Sequence, residues 1–326
     1  MFYSLAVVLC LAVLFIVLAG SCFLCSLILW AGRRWLPLLS ARTRANFLFT
    51  LRALPFLLSG WITLGFVLPA FLRFEPRSSN EMLGLRLLTL AALGAFVIAA
   101  AAVRSSRILT ATHRAQKEWG THSRALRIAG VEIPVYASEI SPLLAVTGLF
   151  RPQVFVSARV VEKLSPSELF AAIAHEVAHV SALDNLKQLI LKITGAPKWL
   201  KLGLGSDAMW VSASEMAADE GALVGGATAL DLSSALVKVA ALSRRIPAFD
   251  MIAASHFLPP VAPSCLATRV NHLSKLLESE GHPVRTGTKN RKHWIGLSLL
   301  VFVIAYAACV SAILPWVHEV LELLVR

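Results

Sequence analysis

The chain has 326 residues, a formal net charge of +12 and a mean hydropathy of +0.70, with 57% apolar and only 15% charged residues. This composition excludes a simple soluble protein and predicts membrane-spanning segments. The pI near 10.0 does not indicate nucleic-acid binding, because no nucleic-acid-binding motif accompanies the positive charge. We therefore expect no nucleic-acid partner.

Four apolar segments predict transmembrane helices: residues 2–30, 54–72, 83–103 and 293–314. The first carries no charged side chain, and as a helix it spans about 43 Å, more than the roughly 30 Å hydrocarbon core of a bilayer. A cleaved signal peptide is the alternative for this segment. It fits less well, because the segment lacks a basic start and its apolar run is too long.

Charge between the predicted spans indicates their orientation. Residues 31–53 contain five arginines and no acid, and both flanks of the long segment 104–292 are basic. The positive-inside rule places these regions in the cytoplasm and both chain termini, including the tail 315–326, outside the cytoplasmic membrane. The prediction is an N-terminal membrane region over 1–103, a cytoplasmic domain over 104–292 and a fourth span, with the lipid bilayer and its anionic head groups as partners.

The segment 104–292 is long enough for one soluble domain with α+β character. Residues 105–127 predict a basic helix that can continue the third span. Two strands are predicted at 132–137 and 153–157, with a loop or hairpin between them, and helical patterns follow to about residue 279. Residues 195–201, which pair tryptophan with lysine, suit either the bilayer surface or a plain surface turn.

The next predicted helix has a well-marked beginning. Ser165 suits the N-cap, Pro166 the first helical position, and Glu168 completes a capping box. Apolar residues then recur at spacings of three and four, which predicts a buried stripe on one face: Leu169, Ile173, Val177 and Val180. We expect this helix to end near residues 183–185.

The helix carries the run His-Glu-Val-Ala-His at 175–179. Histidines four residues apart project from one helix face and can bind one ion, which makes His175 and His179 candidate zinc ligands. Glu176 is a candidate general base for a zinc-bound water. The alternative is a chance pattern on an alanine-rich helix, with solvated or core histidines.

A second predicted helix, over about 210–223, carries Glu215 and Asp219 on one face. Glu215 is a candidate third zinc ligand, and Asp219 is a candidate hydrogen-bond acceptor for a ligating imidazole. Both are alternatively ordinary surface acids. The strand over 154–157 is either an edge on which a substrate peptide adds a strand or an interior core strand. Tyr136, His256 and His272 are candidate oxyanion stabilisers by chemistry alone.

These motifs, together with the run Gly-Leu-Phe-Arg-Pro-Gln-Val-Phe-Val-Ser at 148–157, resemble the M56 peptidases, the zinc-protease domains of BlaR/MecR-type antibiotic receptors. The Glu-x-x-x-Asp pattern is shared with the related M48 peptidases of the HtpX kind. The resemblance implies a zincin-like domain with one Zn²⁺ held by His175, His179 and Glu215, Glu176 as the base, and Asp219 in support. Asp184 matches an acid that orients such sites, or is a helix cap.

The predicted function is a membrane-bound zinc metalloendopeptidase acting on a protein or peptide at the cytoplasmic face. Its substrate would be a cytoplasmic repressor, in regulatory proteolysis, or a membrane protein, in quality control of the M48 kind. Two alternatives are a non-proteolytic transducer that keeps the metal fold and an intramembrane protease, which the polar frame of the motif disfavours. Few residues follow the last span, so we expect no β-lactam sensing by this chain.

Overall fold

The computed structural model describes residues 2–76, 84–128, 130–139, 143–149, 151–195, 206–243, 254–256, 263–278, 306, 310 and 312–323. Within these residues the protein is mostly helical, with one small sheet. The fourth predicted span and the segment 195–201 lie almost entirely outside the described residues. A helix over 312–323 contains the last residues of that span and continues into the predicted tail.

Among the described residues, three helices are long and apolar enough to cross a membrane. They contain the first two predicted spans and residues 85–103 of the third. Helix α1 covers Phe2–Gly32. Helix α2, Ala41–Ile62, passes through a π-helical segment, Thr63–Val67, into α3, Leu68–Phe74. Helix α4 covers Leu85–Thr121. The second and third candidate helices, Ala41–Phe74 and Leu85–Thr121, extend well beyond the predicted spans, because hydropathy detects only the apolar part of a longer helix.

Close packing joins these helices. A Cβ atom at Gly94 of α4 would overlap the backbone carbonyl of Leu11 on α1, so only glycine permits this approach. Tyr306, in the fourth predicted span, donates a hydrogen bond to the Gly65 carbonyl in the π-helical segment, at 2.6 Å. Leu314 and Leu321 pack into a cluster with α1 and α3. The described part of the C-terminal segment therefore contacts the N-terminal helices.

The extension of α4 reaches the predicted soluble domain. Trp119 is buried and packs edge-on against Phe155 of the sheet. The prediction of a helix to residue 127 is wrong for its last part, because α4 ends at Thr121 and strand β1 follows at Ser123–Leu126. The strand is held by antiparallel pairing with the next strand of the chain, Val135–Ser138, which helical propensity does not report.

The sheet has the strand order β1-β2-β4-β3-β5. Strands β2 (Val135–Ser138) and β4 (Gln153–Ser157) correspond to the two predicted strands and pair in parallel. Strands β3 (Leu144–Thr147) and β5 (Ala254–His256) were not predicted, and each pairs antiparallel with its neighbours. Because β4 lies between β2 and β3, the edge-strand hypothesis for 154–157 is wrong and the interior alternative is correct.

Six further helices complete the described domain: α5 (Ala158–Lys163), α6 (Pro166–Ser181), α7 (Asp184–Ile193), α8 (Ser206–Val224), α9 (Ala229–Ser243) and α10 (Pro263–Glu278). One face of the sheet, α6, α9 and α10 share a hydrophobic core. The predicted stripe of α6 lies on this core, with Leu169 and Ile173 buried and Val177 and Val180 partly buried.

Helix α2 also packs against the soluble domain. Leu48 and Ala45 of α2, with Leu36 from the preceding turn, share a cluster with Trp210 and Ala213 of α8. Arg52 forms an ion pair of 2.9 Å with Asp207 at the beginning of α8. The part of α2 that precedes the predicted span thus contacts α8, the helix that carries Glu215.

Candidate metal centre

The beginning of α6 is fixed by the predicted capping box. The Ser165 side chain accepts a hydrogen bond from the Glu168 backbone N–H, and Glu168 accepts one from the Ser165 backbone N–H. Lys238 and Ser234 of α9 donate to the same buried carboxylate. Because of the hydrogen bonds from Lys238 and Ser234, the pKa of Glu168 falls to about 2. Helix α6 is therefore attached to α9 at the end distant from its histidines.

The other end of α6 packs tightly on α8. A Cβ atom at Gly221 of α8 would lie 2.7 Å from the Cβ atom of Ala178, a distance that real Cβ atoms do not adopt. Small residues at this crossing let the two helix backbones approach closely. The approach brings Glu215 of α8 alongside His175 and His179 of α6.

The three predicted ligands converge. His175 Nε2 lies 3.2 Å from His179 Nε2, and each of these nitrogens lies 3.5 Å from a Glu215 carboxylate oxygen. A tetrahedral ion with bonds of about 2.0–2.2 Å separates neighbouring ligand atoms by about 3.3–3.6 Å. The three residues are buried and offer ligand atoms within 4.8 Å of one another, so the cluster has the dimensions of a metal site.

The outer nitrogens of the two rings contact carboxylates. His175 Nδ1 lies 2.9 Å from Asp219 Oδ1, and His179 Nδ1 lies 2.8 Å from Asp184 Oδ2. A carboxylate only accepts hydrogen bonds, so each Nδ1 is the protonated donor, and a ring that is neutral presents an Nε2 lone pair to the centre. Two Nε2 lone pairs 3.2 Å apart, beside a carboxylate, repel one another unless a proton or a metal cation lies between them. This donor set fits a divalent metal ion.

The charges around the cluster of His175, His179 and Glu215 also favour a divalent metal ion. Four buried acids lie in this region: Glu176, Asp184, Glu215 and Asp219. Among the described residues, the bases near them are Arg269 and Lys187, which pair with these acids, and Arg42, which lines a small pocket with Asp184 and Lys187. Burial by itself would lower the pKa of His179, but hydrogen bonds to Asp184 and Glu215 raise it to about 10. Without a metal, a proton at His179 Nε2 therefore carries the positive charge. The excess negative charge that stabilises this imidazolium would also stabilise a dication in the place of the proton.

Arg269 of α10 completes the centre, and the sequence interpretation missed it. Its guanidinium donates to both Asp219 oxygens, at 2.6 and 2.8 Å, and to Glu215 Oε2 at 2.9 Å. Burial would raise the pKa values of Glu215 and Asp219, yet the nearby Arg269 holds both below their usual range. A signal was present, because Arg269 falls in the apolar stripe of α10 with Leu266 and Leu273.

Lys187 of α7 extends the centre toward α2, part of a candidate membrane span. Its ammonium donates to Asp184 Oδ1 at 3.2 Å and to Asn46 Oδ1 of α2 at 3.0 Å. Asp184 therefore contacts His179 through one oxygen and Lys187 through the other. Because Asp184 begins α7 while α6 already ends at Ser181, it is not the cap of the histidine helix. The αL conformation of Leu183, with φ of 57°, separates the two helices.

Every predicted site residue lies in this region, and Glu176 is fully buried on α6. The three candidate oxyanion stabilisers have other contacts. The Tyr136 ring stacks on Phe155 at 5.6 Å, and His272 contacts Glu220 at 3.1 Å. His256 belongs to β5 and pairs in register with Ala145.

The model of peptidase family M48 matches residues 141–243. The match runs from the region of β3 to the end of α9 and contains both helices of the cluster, so it supports a metallopeptidase domain here. No curated protein matches the chain. The M56 assignment stays a prediction, because the matching model is that of the related family.

Proposed function

We propose that this chain is a membrane-bound, zinc-dependent metalloendopeptidase that hydrolyses peptide bonds at the cytoplasmic face of the membrane. The proposal rests on the convergence of His175 Nε2, His179 Nε2 and the Glu215 carboxylate, while both Nδ1 atoms donate hydrogen bonds to acids. The M48 match and the three candidate spans support it.

Zinc suits this ligand set better than magnesium or calcium, which prefer oxygen ligands. Two neutral imidazoles and one carboxylate make three protein ligands, the number found in catalytic zinc sites. A bound zinc ion would lower the pKa of water to about 7 and polarise the scissile carbonyl.

The protein's own residues supply the remaining chemistry. Asp219 and Asp184 hold the rings in the tautomer that presents Nε2 to the centre, and Arg269 keeps Glu215 and Asp219 ionised. Glu176 accepts a proton from the attacking water and delivers it to the leaving amine. A site that served only to bind a metal would have no need for this buried acid, which argues against a non-proteolytic transducer.

The decisive experiment compares purified wild-type protein with Glu176→Gln for zinc content and for cleavage of a membrane-extract proteome. Glu162→Gln, which changes an exposed glutamate of α5, is the matched control. We expect one zinc per chain in all three proteins and loss of proteolysis only in Glu176→Gln. If wild-type protein retained zinc but gave the same products as Glu176→Gln, the transducer would be the correct function.

The same proteome comparison separates the two proposed roles. Loss of integral membrane proteins from the substrate pool indicates quality control of the M48 kind, whereas a single soluble repressor indicates the regulatory role of the M56 kind.

The orientation needs its own test. In a cysteine-free background, Lys163→Cys should react with a membrane-impermeant maleimide only after the cells are lysed. Leu323→Cys should react with the same reagent in intact spheroplasts. The opposite labelling would overturn the cytoplasmic placement.

A further inference from the structure

An open pocket of about 360 Å³ lies between the α1–α2 turn and helix α8. Its apolar lining includes Leu36, Leu48, Met209 and Met216, and its polar lining includes Arg33 and Arg44. Its volume is within the range of small-molecule sites, which combine apolar walls with a few convergent polar groups. None of the residues proposed for the metal centre lines it.

The two guanidiniums of this pocket have no acidic partner in the part of the chain that the structure describes. Arg44 Nη2 lies 2.9 Å from the Met216 sulfur, which is only a weak acceptor. Arg52, on the same helix, instead pairs with Asp207 at 2.9 Å. A half-buried arginine directed at a thioether is chemically suited to bind an anion.

The pocket lies where a membrane interface is expected. The apolar helix α1 ends at Gly32, and Arg33 follows directly. Trp30 and Trp35 are exposed, and Leu38 is 82% exposed. Exposed tryptophans and a leucine beside arginines, at the end of an apolar helix, are typical of the head-group region of a bilayer.

We propose that this pocket binds an anionic phospholipid. The phosphate would pair with Arg33 and Arg44, because guanidinium and phosphate form bidentate charge-assisted hydrogen bonds. The glycerol and the first carbons of the acyl chains would contact Leu36, Leu48 and Met209. Free inorganic phosphate would make no favourable contact with the apolar wall. A zwitterionic lipid would place the positive charge of its head group close to the two arginines.

The lipid would contact the helix that carries the third candidate ligand. Ala208, Ser212 and Met216 of α8 face the pocket at helical spacing. Glu215 precedes Met216 directly and faces the metal cluster. A bound lipid would therefore brace α8 on a face that adjoins the one carrying Glu215, and this consequence for catalysis rests on the proposed function.

Lipid retention tests the site without requiring proteolysis. The purified full chain is delipidated in detergent, titrated with phosphatidylglycerol or phosphatidylcholine, and examined by native mass spectrometry. We expect phosphatidylglycerol to bind at one site and the Arg33→Gln/Arg44→Gln variant to lose affinity by about tenfold. Arg34→Gln/Arg42→Gln, which removes the same charge from residues outside the pocket, should lose less than about twofold.

A second variant keeps the charge unchanged. Ala208→Trp places a large ring at an exposed position of the pocket wall and should block the lipid. The proposal fails if both double variants weaken binding equally, which indicates diffuse attraction, or if phosphatidylcholine binds as well. It also fails if millimolar inorganic phosphate displaces the lipid completely. Because the readout is lipid mass, failure of the peptidase proposal would leave these results unchanged.

Discussion

His175 and His179 present equivalent nitrogens to the same centre, yet they are held by different parts of the molecule. The supports of His175, Asp219 and Arg269, are completely buried within the soluble domain. The support of His179 runs outward through Asp184 and the partly exposed Lys187 to Asn46 on α2. A buried ion pair is intolerant of change, whereas a chain of partly solvated contacts tolerates it. We expect the supports of His175 to determine whether a metal binds at all, and the supports of His179 to adjust the metal affinity.

The largest effect is expected from Arg269→Met. It leaves the buried Asp219 and Glu215 without their shared cation, a change that costs about 3–5 kcal/mol in buried pairs. The melting temperature should fall by roughly 10 °C, with loss of bound zinc. Arg159→Met, on the exposed surface of α5, is the control and should melt like the wild type. Equal melting of both variants would show that Arg269 does not hold the centre together.

The next comparison sets Asp219→Asn against Asp184→Asn. Each change weakens the hydrogen bond that fixes one imidazole, and such changes reduce metal affinity by about 10–100-fold. We expect Asp219→Asn near the upper value, because it also removes the partner of Arg269, and Asp184→Asn near the lower value. Competition with a zinc chelator measures both affinities. The reverse order would contradict the assignment of the rigid support to His175.

A smaller effect is expected where the support of His179 meets α2. Lys187→Met should lower zinc affinity by about two- to fivefold, and Asn46→Ala should have a similar or weaker effect. Because both side chains act through one contact, the double variant should be no worse than Lys187→Met. The same chelator competition completes this double-mutant cycle. Strictly additive losses would mean that the two residues do not form a single connection.

The smallest effect on the metal is expected from Glu168→Gln, at the other end of α6. Stability should fall by about 1–2 kcal/mol at neutral pH, with zinc affinity unchanged. Glu168 has a folded-state pKa of about 2, below the ordinary glutamate value of 4.5. Its stabilising contribution is therefore complete above about pH 4.5 and is lost as the pH falls toward 2. Thermal melts across this window should show the wild type approaching the variant, and a constant difference would refute the assignment.

Features that depend on neighbours within about one helical turn follow from the amino-acid sequence without the fold. Ser165 and Glu168 are three residues apart, and the structure confirms the capping box they predict. The same spacing rule placed His175 and His179 on one face, and Glu215 and Asp219 on another helix. Long apolar runs likewise predicted the first three spans, since hydropathy is a local property. These patterns require no knowledge of distant residues.

The tertiary structure alone decided which distant residues meet. Arg269 lies 50 residues from Asp219 and 94 from His175, and Lys187 lies 141 from Asn46. Strand β4 is interior because β2 and β3 pair on its two sides. The pocket between the α1–α2 turn and α8 exists only because α2, part of a candidate membrane span, packs against α8. Such contacts follow from long-range packing and charge pairing, which no local pattern encodes.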